Sequence, residues 1–463
     1  MKRVYFIGAG GIGMAALERY FLSRGMRVAG YDRTPSDLTR QLEREGVTIS
    51  YTDTVEGAVP DEFRRPDPDT LVVYTPAVPH DSEVMTFFRE GGFNPVKRSE
   101  ALGHITRGSR ALCFAGTHGK TTTSSMAAHV LHTAPVGCNA FLGGILLRYN
   151  SNLILSATSP YSVVEADEYD RSFHRLRPYI AVINATDPDH LDIYGTEEAY
   201  LESFAHFTEL IDPEGALIVH TGLKLVPRPP EGVRTYTFSR TEGDFHAENI
   251  RHGHGRIMFD FVYPGGKIAD IDLGVPVEIN VDNAIAALAA CWLTGEMDAD
   301  TVRRAIASYP GVERRFQFHL RQPGEHGRVV IDDYAHHPDE LRSSIASVRA
   351  LYPGRHLTVA FQPHLYTRTR DFAPEFARAL SQADDVVLLD IYPAREEPIP
   401  GVTSKIIFDR VTAPSKCLIS KEDFVNTLKN RNFDILLTLG AGDMSFLVPD
   451  LCRAIDPVNT IKY

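Results

Sequence analysis

Apolar residues come in short bursts along this chain, each bounded by glycine, a polar loop or a stretch of helical spacing. The first, VYFIG at 4–8, is rich in strand formers; a glycine turn follows, then helical spacing over Ile12–Ser23 and a second burst, RVAGYD at 27–32. LVVYT at 71–75 predicts another buried strand, and Arg107–Ser109 reads as a linker. A second block opens with ALCFAG at 111–116, predicts a helix to about Leu131, and continues with SVVEAD at 162–167 and IAVINAT at 180–186. From Asp244 to Asp272 the pattern alternates, with turn signals at HGHG and YPGG, which predicts an antiparallel addition. A helix is expected over Asn283–Thr294, followed by GVERRF at 311–316. The third block carries the bursts RVVIDDYA, HLTVAFQP, DDVVLLDIY and DILLTLGAGD. Continuous apolar strands separated by helical spacing indicate parallel sheets covered on both faces, so the expected class is α/β in three blocks.

At 463 residues the chain exceeds one ordinary domain, and 43% apolar with 23% charged residues is the composition of a globular protein with several cores. No apolar run reaches the eighteen or so residues of a membrane span; the longest lies around Ala284–Leu293. The N-terminal burst runs straight into glycines, unlike a secretory signal. Five cysteines, without C-x-x-C pairing, argue against a disulfide framework or zinc site and fit a reducing cytoplasm. A net charge of −12 argues against a nucleic-acid partner.

The candidate chemistry falls where bursts end, which is where open parallel sheets bind ligands. Gly8-Ala-Gly10-Gly11-Ile12-Gly13 matches G-x-G-x-x-G, and Asp32 closes the next burst. Such a turn admits a diphosphate at a helix N-terminus, and its obvious ligand is a dinucleotide. AGTHGKTTT at 115–123 is a shortened phosphate loop: Gly116 and Gly119 are three apart, where G-x-x-x-x-G-K-[ST] spaces its glycines by five. In it Lys120 would neutralise phosphate oxygens and Thr121 would bind Mg²⁺. VVEADEYD places Glu165 and Asp167 at a strand end, and NATDPDHLDIYG places His190 after the next one, together suggesting a metal site beside the loop. DDYAHHP (Asp333, His336, His337) and FQPHLYTRTR (His364, Arg368, Arg370) are the remaining polar clusters. Neighbouring histidines diverge on an extended chain, so zinc is disfavoured and the arginines are expected to bind carboxylate or phosphate oxygens.

In order along nearly the whole chain, GAGGIG, AGTHGKTTT, EADEYDRSF, DPDHLDIYG, GVERRF, DDYAHHP, FQPHLYTRT and GAGD resemble the Mur ligase family. The shortened phosphate loop is typical of that family. The resemblance implies three domains: a Rossmann-like UDP-sugar-binding domain (1–106), a central ATP-binding P-loop domain (107–315) and a Rossmann-like C-terminal domain (316–463) that closes over the nucleotide. It moves the GAGGIG turn from a nicotinamide cofactor to the UDP end of a substrate held by Gly8, Gly10, Gly11, Ile12, Gly13, Asp32 and Thr75. It assigns ATP to Gly116, Thr117, His118, Gly119, Lys120, Thr121, Thr122, Asn280, Asn283, Arg315 and Asp333, and Mg²⁺ to Thr121, Glu165 and His190. Lys120, Arg315, His364 and Arg368 would carry the chemistry. THGKTT, the HHP stretch and FQPHLYTRT narrow the implied substrates to UDP-N-acetylmuramate, L-alanine and ATP in peptidoglycan synthesis, for a cytoplasmic monomer or homodimer. Three positions depart from the family pattern: Ile279 replaces a histidine, Leu365 replaces an arginine, and no lysine lies between His190 and Lys224 to serve a second metal. The rivals are a sister ligase that recycles a tripeptide, a nicotinamide-dependent oxidoreductase that leaves AGTHGKTTT unexplained, and a nucleotide-binding regulator without use for the third-block clusters.

Overall fold

The computed structural model describes residues 1–463 except His80, His190, His254, Glu325, Arg395 and Tyr463, and except the side chains of Leu191 and Asp192. Three predominantly parallel sheets and one small antiparallel sheet organise the chain. The first has five parallel strands in the order Thr48–Ser50, Arg27–Tyr31, Arg3–Ile7, Thr70–Tyr74 and Val96–Lys97. The second has seven, ordered Arg234–Phe238, Ala216–His220, Ile180–Ile183, Arg110–Ala115, Tyr161–Glu165, Asn139–Leu146 and Ser151–Ile154, with only the last antiparallel to its neighbour. The third has six: Gln317–Arg321 runs antiparallel at one edge, then Val329–Asp333, Ile435–Leu439, Leu357–Phe361, Asp385–Leu388 and Ser415–Leu418 run parallel. The antiparallel addition forms as His246–Gly253, Arg256–Tyr263 and Gly266–Asp272.

Side-chain alternation explains how the sheets stack. Along Arg110–Ala115, Leu112 and Phe114 enter one core while Ala111, Cys113 and Ala115 enter another. The second of these cores also takes Val4 and Phe6 of the first sheet and Leu17 of the helix Ile12–Ser23. The other takes Ile331, Val359 and Leu437 of the third sheet. The outward faces of the end sheets have cores of their own, Tyr5 and Ile7 with Phe63 and Phe88 at one end, Val330, Ala360 and Leu436 at the other. Each of the three larger sheets thus has an apolar layer on either face, filled by the helices packed against it.

Three sequence-based boundaries shift. The helix expected from Asn283 begins at Ile279 and ends at Trp292, because Asn280 and Asn283 satisfy one another (Asn283 Nδ2 to Asn280 Oδ1, 3.0 Å) and so enter a buried helix that an apolar pattern excludes. The loop helix runs from Lys120 to Thr133. Arg107 ends the helix Arg98–Arg107, which leaves Gly108 and Ser109 between it and the next strand. No helix among the described residues is long and apolar enough to cross a membrane.

Candidate active site

The strand Arg110–Ala115 lies between Tyr161–Glu165 and Ile180–Ile183 in the second sheet, so the loop that follows it is flanked by the ends of both neighbours. Glycine is required there. Gly116 has φ +135°, and a Cβ on it would lie 2.8 Å from the Ala185 nitrogen; Gly119 has φ +84°, and its Cβ would meet Asn283 Oδ1 at 2.7 Å. Gly119 then caps the helix Lys120–Thr133 without a side-chain hydrogen bond, which leaves the first backbone N–H groups free for an anion. Thr117 is fixed from the side, its hydroxyl donating to the Asp187 carbonyl (2.8 Å) and standing 2.9 Å from the Tyr200 hydroxyl.

Lys120 folds back across the loop and donates to the Gly116 carbonyl (2.8 Å) and to Glu168 Oε1 (2.7 Å). Thr121 donates to Glu165 Oε1 at 3.0 Å, and Glu165 Oε2 accepts from the Gly143 N–H at 3.0 Å. Burial pushes the Glu165 carboxyl above the usual carboxylate value, against the opposing pull of Lys120 and Thr121. A partly buried carboxylate held against a threonine hydroxyl at the start of a phosphate loop suits Mg²⁺, which takes few protein oxygens and keeps water and phosphate as its other ligands. His190, the third expected ligand, lies outside the described residues.

His118, Gly119 and Thr122 also line a cleft of about 250 Å³ that reaches the third sheet, with Asn280, Asn283, Arg315 and Asp333 on its other walls. Asn283 Oδ1 accepts from Thr123 at 3.2 Å, and Asn280 donates to the Val275 carbonyl, so both amides are held rigid at the cleft. Ile279, at the position of the departing histidine, is exposed on the cleft wall. Asp333 is tied to the Phe316 N–H (3.2 Å) and the Ser344 hydroxyl, and burial raises its carboxyl above the ordinary value. The Arg315 guanidinium lies 5.7 Å over the Tyr334 ring.

His364 and Arg368 are brought together, Arg368 Nη1 standing 3.5 Å from His364 Nδ1, but neither lines that cleft. His364 stacks on Tyr392 and approaches His336, with ring centroids 5.7 and 6.2 Å away. Burial and the Arg368 charge hold the His364 imidazole below its ordinary value. His337 does different work, capping the helix Pro338–Leu351. Leu365 takes φ +72° ahead of the helix Tyr366–Leu380, a strained conformation for a side chain branched at Cγ.

At the other end, the turn from Gly8 to Gly13 is built as expected. Gly8 has φ +87°, and Thr75 packs where its Cβ would be. Asp32 accepts from the Gly10 N–H (2.6 Å) and the Thr34 N–H (3.1 Å), so its carboxylate braces the turn. Gly11 caps the helix Ile12–Ser23 without a side-chain bond, again leaving N–H groups free. Between this turn and Glu165 lies a smaller cavity of about 100 Å³, bordered by Gly13, Arg98, Asn152 and Asp167.

Sequence reasoning did not single out Glu168 or Arg314. Glu168 sits among four carboxylates in VVEADEYD, and nothing in that spacing marks the one that turns inward. Arg314, at φ +58°, donates to the carbonyls of Gly440 (2.5 Å) and Gly442 (3.1 Å), joining the ERRF segment to GAGD. Its signal was the pairing of two arginines, of which only Arg315 was chosen.

Three successive stretches of the chain match known domain families. Residues 3–110 match the Mur ligase family catalytic domain, 114–291 the Mur ligase middle domain and 314–442 the Mur ligase glutamate ligase domain. The UDP-N-acetylmuramate–L-alanine ligase of Parabacteroides distasonis is 57% identical over 99% of this chain and 96% of its own length. That of Porphyromonas gingivalis W83 is 52% identical over 97% and 98%. Among solved structures, the UDP-N-acetylmuramate–alanine ligase of Thermotoga maritima superposes with a TM-score of 0.74 at 26% identity, covering 98% of both chains. A murein peptide ligase of Psychrobacter arcticus shares the fold at a TM-score of 0.60 and 22% identity over the whole of both chains. With all three domain models matched in order around a shortened phosphate loop, the chain belongs to the Mur ligase family.

Proposed function

We infer that this chain is an ATP-dependent ligase that joins L-alanine to the lactyl carboxylate of UDP-N-acetylmuramate in peptidoglycan precursor synthesis. The observation that carries this is the full-length identity of 52–57% to ligases of that name. We assign residues 1–106 to the UDP sugar, 107–315 to ATP and 316–463 to closure over the reacting groups. A cytoplasmic location follows from the need for ATP and a nucleotide sugar.

A carboxylate is a poor electrophile, so one of its oxygens must first become part of a leaving group. The lactyl carboxylate oxygen attacks the γ-phosphorus of ATP, the bond to the β–γ bridging oxygen breaks, and ADP leaves behind an acyl phosphate. The alanine amine then attacks the acyl carbon, the bond to the phosphate oxygen breaks, inorganic phosphate departs, and the amine loses a proton. Bringing two anions together demands positive charge: Lys120 supplies it at the β- and γ-phosphates and Arg315 at the closing side. Mg²⁺, held by Thr121 and Glu165 and, by family resemblance, His190, would neutralise phosphate charge. Asn280 and Asn283 orient the base, and Asp333 the ribose. His364, whose imidazole burial and the Arg368 charge hold below its ordinary value, accepts the amine proton, while Arg368 pairs with a substrate carboxylate. Closure excludes the water that would hydrolyse the acyl phosphate.

The test measures ADP release from purified protein with UDP-N-acetylmuramate, ATP and a panel of amines. Free L-alanine is expected to give the highest kcat/KM; a clear preference for an L-Ala-D-Glu-containing tripeptide makes the chain a recycling ligase instead. A companion titration addresses the glycine turn. UDP-N-acetylmuramate is expected to bind saturably and compete with UDP, whereas NAD and NADP give no saturable signal. Micromolar nicotinamide-cofactor binding with none of the UDP sugar would return Gly8–Gly13 to a dinucleotide.

A further inference from the structure

Glu168 has no part in the roles given above, yet it is the most deeply buried carboxylate at the loop, 1% exposed. Its Oε1 takes the Lys120 ammonium at 2.7 Å, while its Oε2 has no hydrogen-bond partner. Its backbone carbonyl accepts from the Tyr194 hydroxyl at 2.5 Å, which anchors the segment from behind. Glu165, the other carboxylate at this end of the sheet, is occupied by Thr121 and Gly143. Lys120 is itself largely buried, its side chain 15% exposed, and its other acceptor is the neutral Gly116 carbonyl. Glu168 is therefore the one full negative charge that the described structure places in contact with this ammonium.

We infer that Glu168 is the resting counter-ion of Lys120, neutralising the ammonium while the loop holds no phosphate and yielding it to the β- and γ-phosphates when nucleotide enters. The inference rests on the reading of Lys120 as the phosphate-binding cation. A buried ammonium without a partner is costly, so the nucleotide-free loop needs a carboxylate beside it. Once a polyphosphate arrives, two anionic groups compete for one cation. That competition caps the affinity of the loop for ADP and eases product release. Glu168 thus acts on the reaction through Lys120, as a positioning residue.

Glu168→Gln keeps the shape and one acceptor oxygen but removes the charge. Titration calorimetry of ADP, AMP and inorganic tripolyphosphate into the full chain is expected to show ADP and tripolyphosphate binding ~10-fold tighter in the variant, as expected for removing a negative charge a few ångströms from phosphate. AMP, lacking a β-phosphate, should bind within about twofold of the parent. Under turnover, both KM for ATP and kcat should fall, because ADP leaves more slowly; a merely structural role would not tighten ligand binding. Unchanged or weaker ADP binding in Glu168→Gln overturns the inference, weaker binding making Glu168 a clamp that holds Lys120 for phosphate. If Glu168→Gln does not fold without nucleotide, Glu168→Asp, which keeps the charge but withdraws it, must tighten ADP binding by itself, and failure to do so overturns the inference equally. Lys120→Met separates the two readings: it is expected to weaken ADP binding, and parent-like binding there removes Lys120 from the phosphate site whatever Glu168 does.

Discussion

Lys120→Ala is expected to lower kcat/KM for ATP by at least ~10²-fold, the usual cost of losing one preorganised electrostatic donor. The ammonium already stands beside the loop, between the Gly116 carbonyl and Glu168, and no other side chain among the proposed phosphate-binding residues carries its charge to that point. UDP-N-acetylmuramate binding should change by less than about twofold, because the glycine turn at Gly8–Gly13 belongs to a different sheet. The variant carries a second effect. It leaves Glu168 buried with neither oxygen paired, which costs roughly 3–5 kcal/mol of stability. Lys120→Ala/Glu168→Gln removes that orphaned charge and should melt closer to the parent while remaining as inactive. Turnover is read as ADP release and stability by thermal melting; near-parental turnover in either variant removes Lys120 from the chemistry.

Glu165→Gln should lower kcat by about 10²-fold and raise the Mg²⁺ concentration needed for half-maximal rate. The carboxylate receives Thr121 on one oxygen and the Gly143 N–H on the other. An amide offers only one acceptor oxygen, so its NH₂ group must face one of these donors, and the arrangement loses both its charge and a hydrogen bond. Glu165→Asp keeps the charge at shorter reach and should fall between parent and amide. Magnesium titrations of Glu165→Gln that overlay those of the parent would remove Glu165 from the cation site.

The central strands of each sheet were legible as continuous apolar runs, and the helix Ile12–Ser23 was read to the residue from its spacing, whereas Asn139–Leu146 and Ala216–His220 of the second sheet were not singled out. The start of the helix Ile279–Trp292 was not legible, because Asn280 and Asn283 look solvent-facing until the contacts with Val275 and Thr123 are known. Short edge strands such as Gln317–Arg321 carry too few apolar positions to be read locally; their pairing with distant partners makes them. At the site, the glycine positions 116 and 119 beside Lys120 could be read from spacing, since φ > 0 demands that residue type. Which of four carboxylates turns inward to that lysine could not, because the choice depends on Tyr194 holding the Glu168 carbonyl from a segment distant in sequence. The side-by-side placement of His364, Arg368 and His336 likewise depends on two strand ends meeting in the third sheet.

The apolar layers on the faces of the sheets bear on how the chain could be taken apart. Val4 and Phe6 share a layer with Ala111 and Cys113, and Leu112 and Phe114 share the next with Ile331 and Val359. The helix Ile12–Ser23 covers Val4 and Phe6 on one side and meets the strands Asn139–Leu146 and Ser151–Ile154 on another, so a fragment ending near residue 107 would bare that second side of the helix. Such a fragment should therefore be stickier than the whole chain, even though it carries a complete sheet. Limited proteolysis should release intact domains reluctantly. A ligand that grips the first sheet should also slow the loosening of the second, because one helix packs against both, in addition to the backbone that joins them.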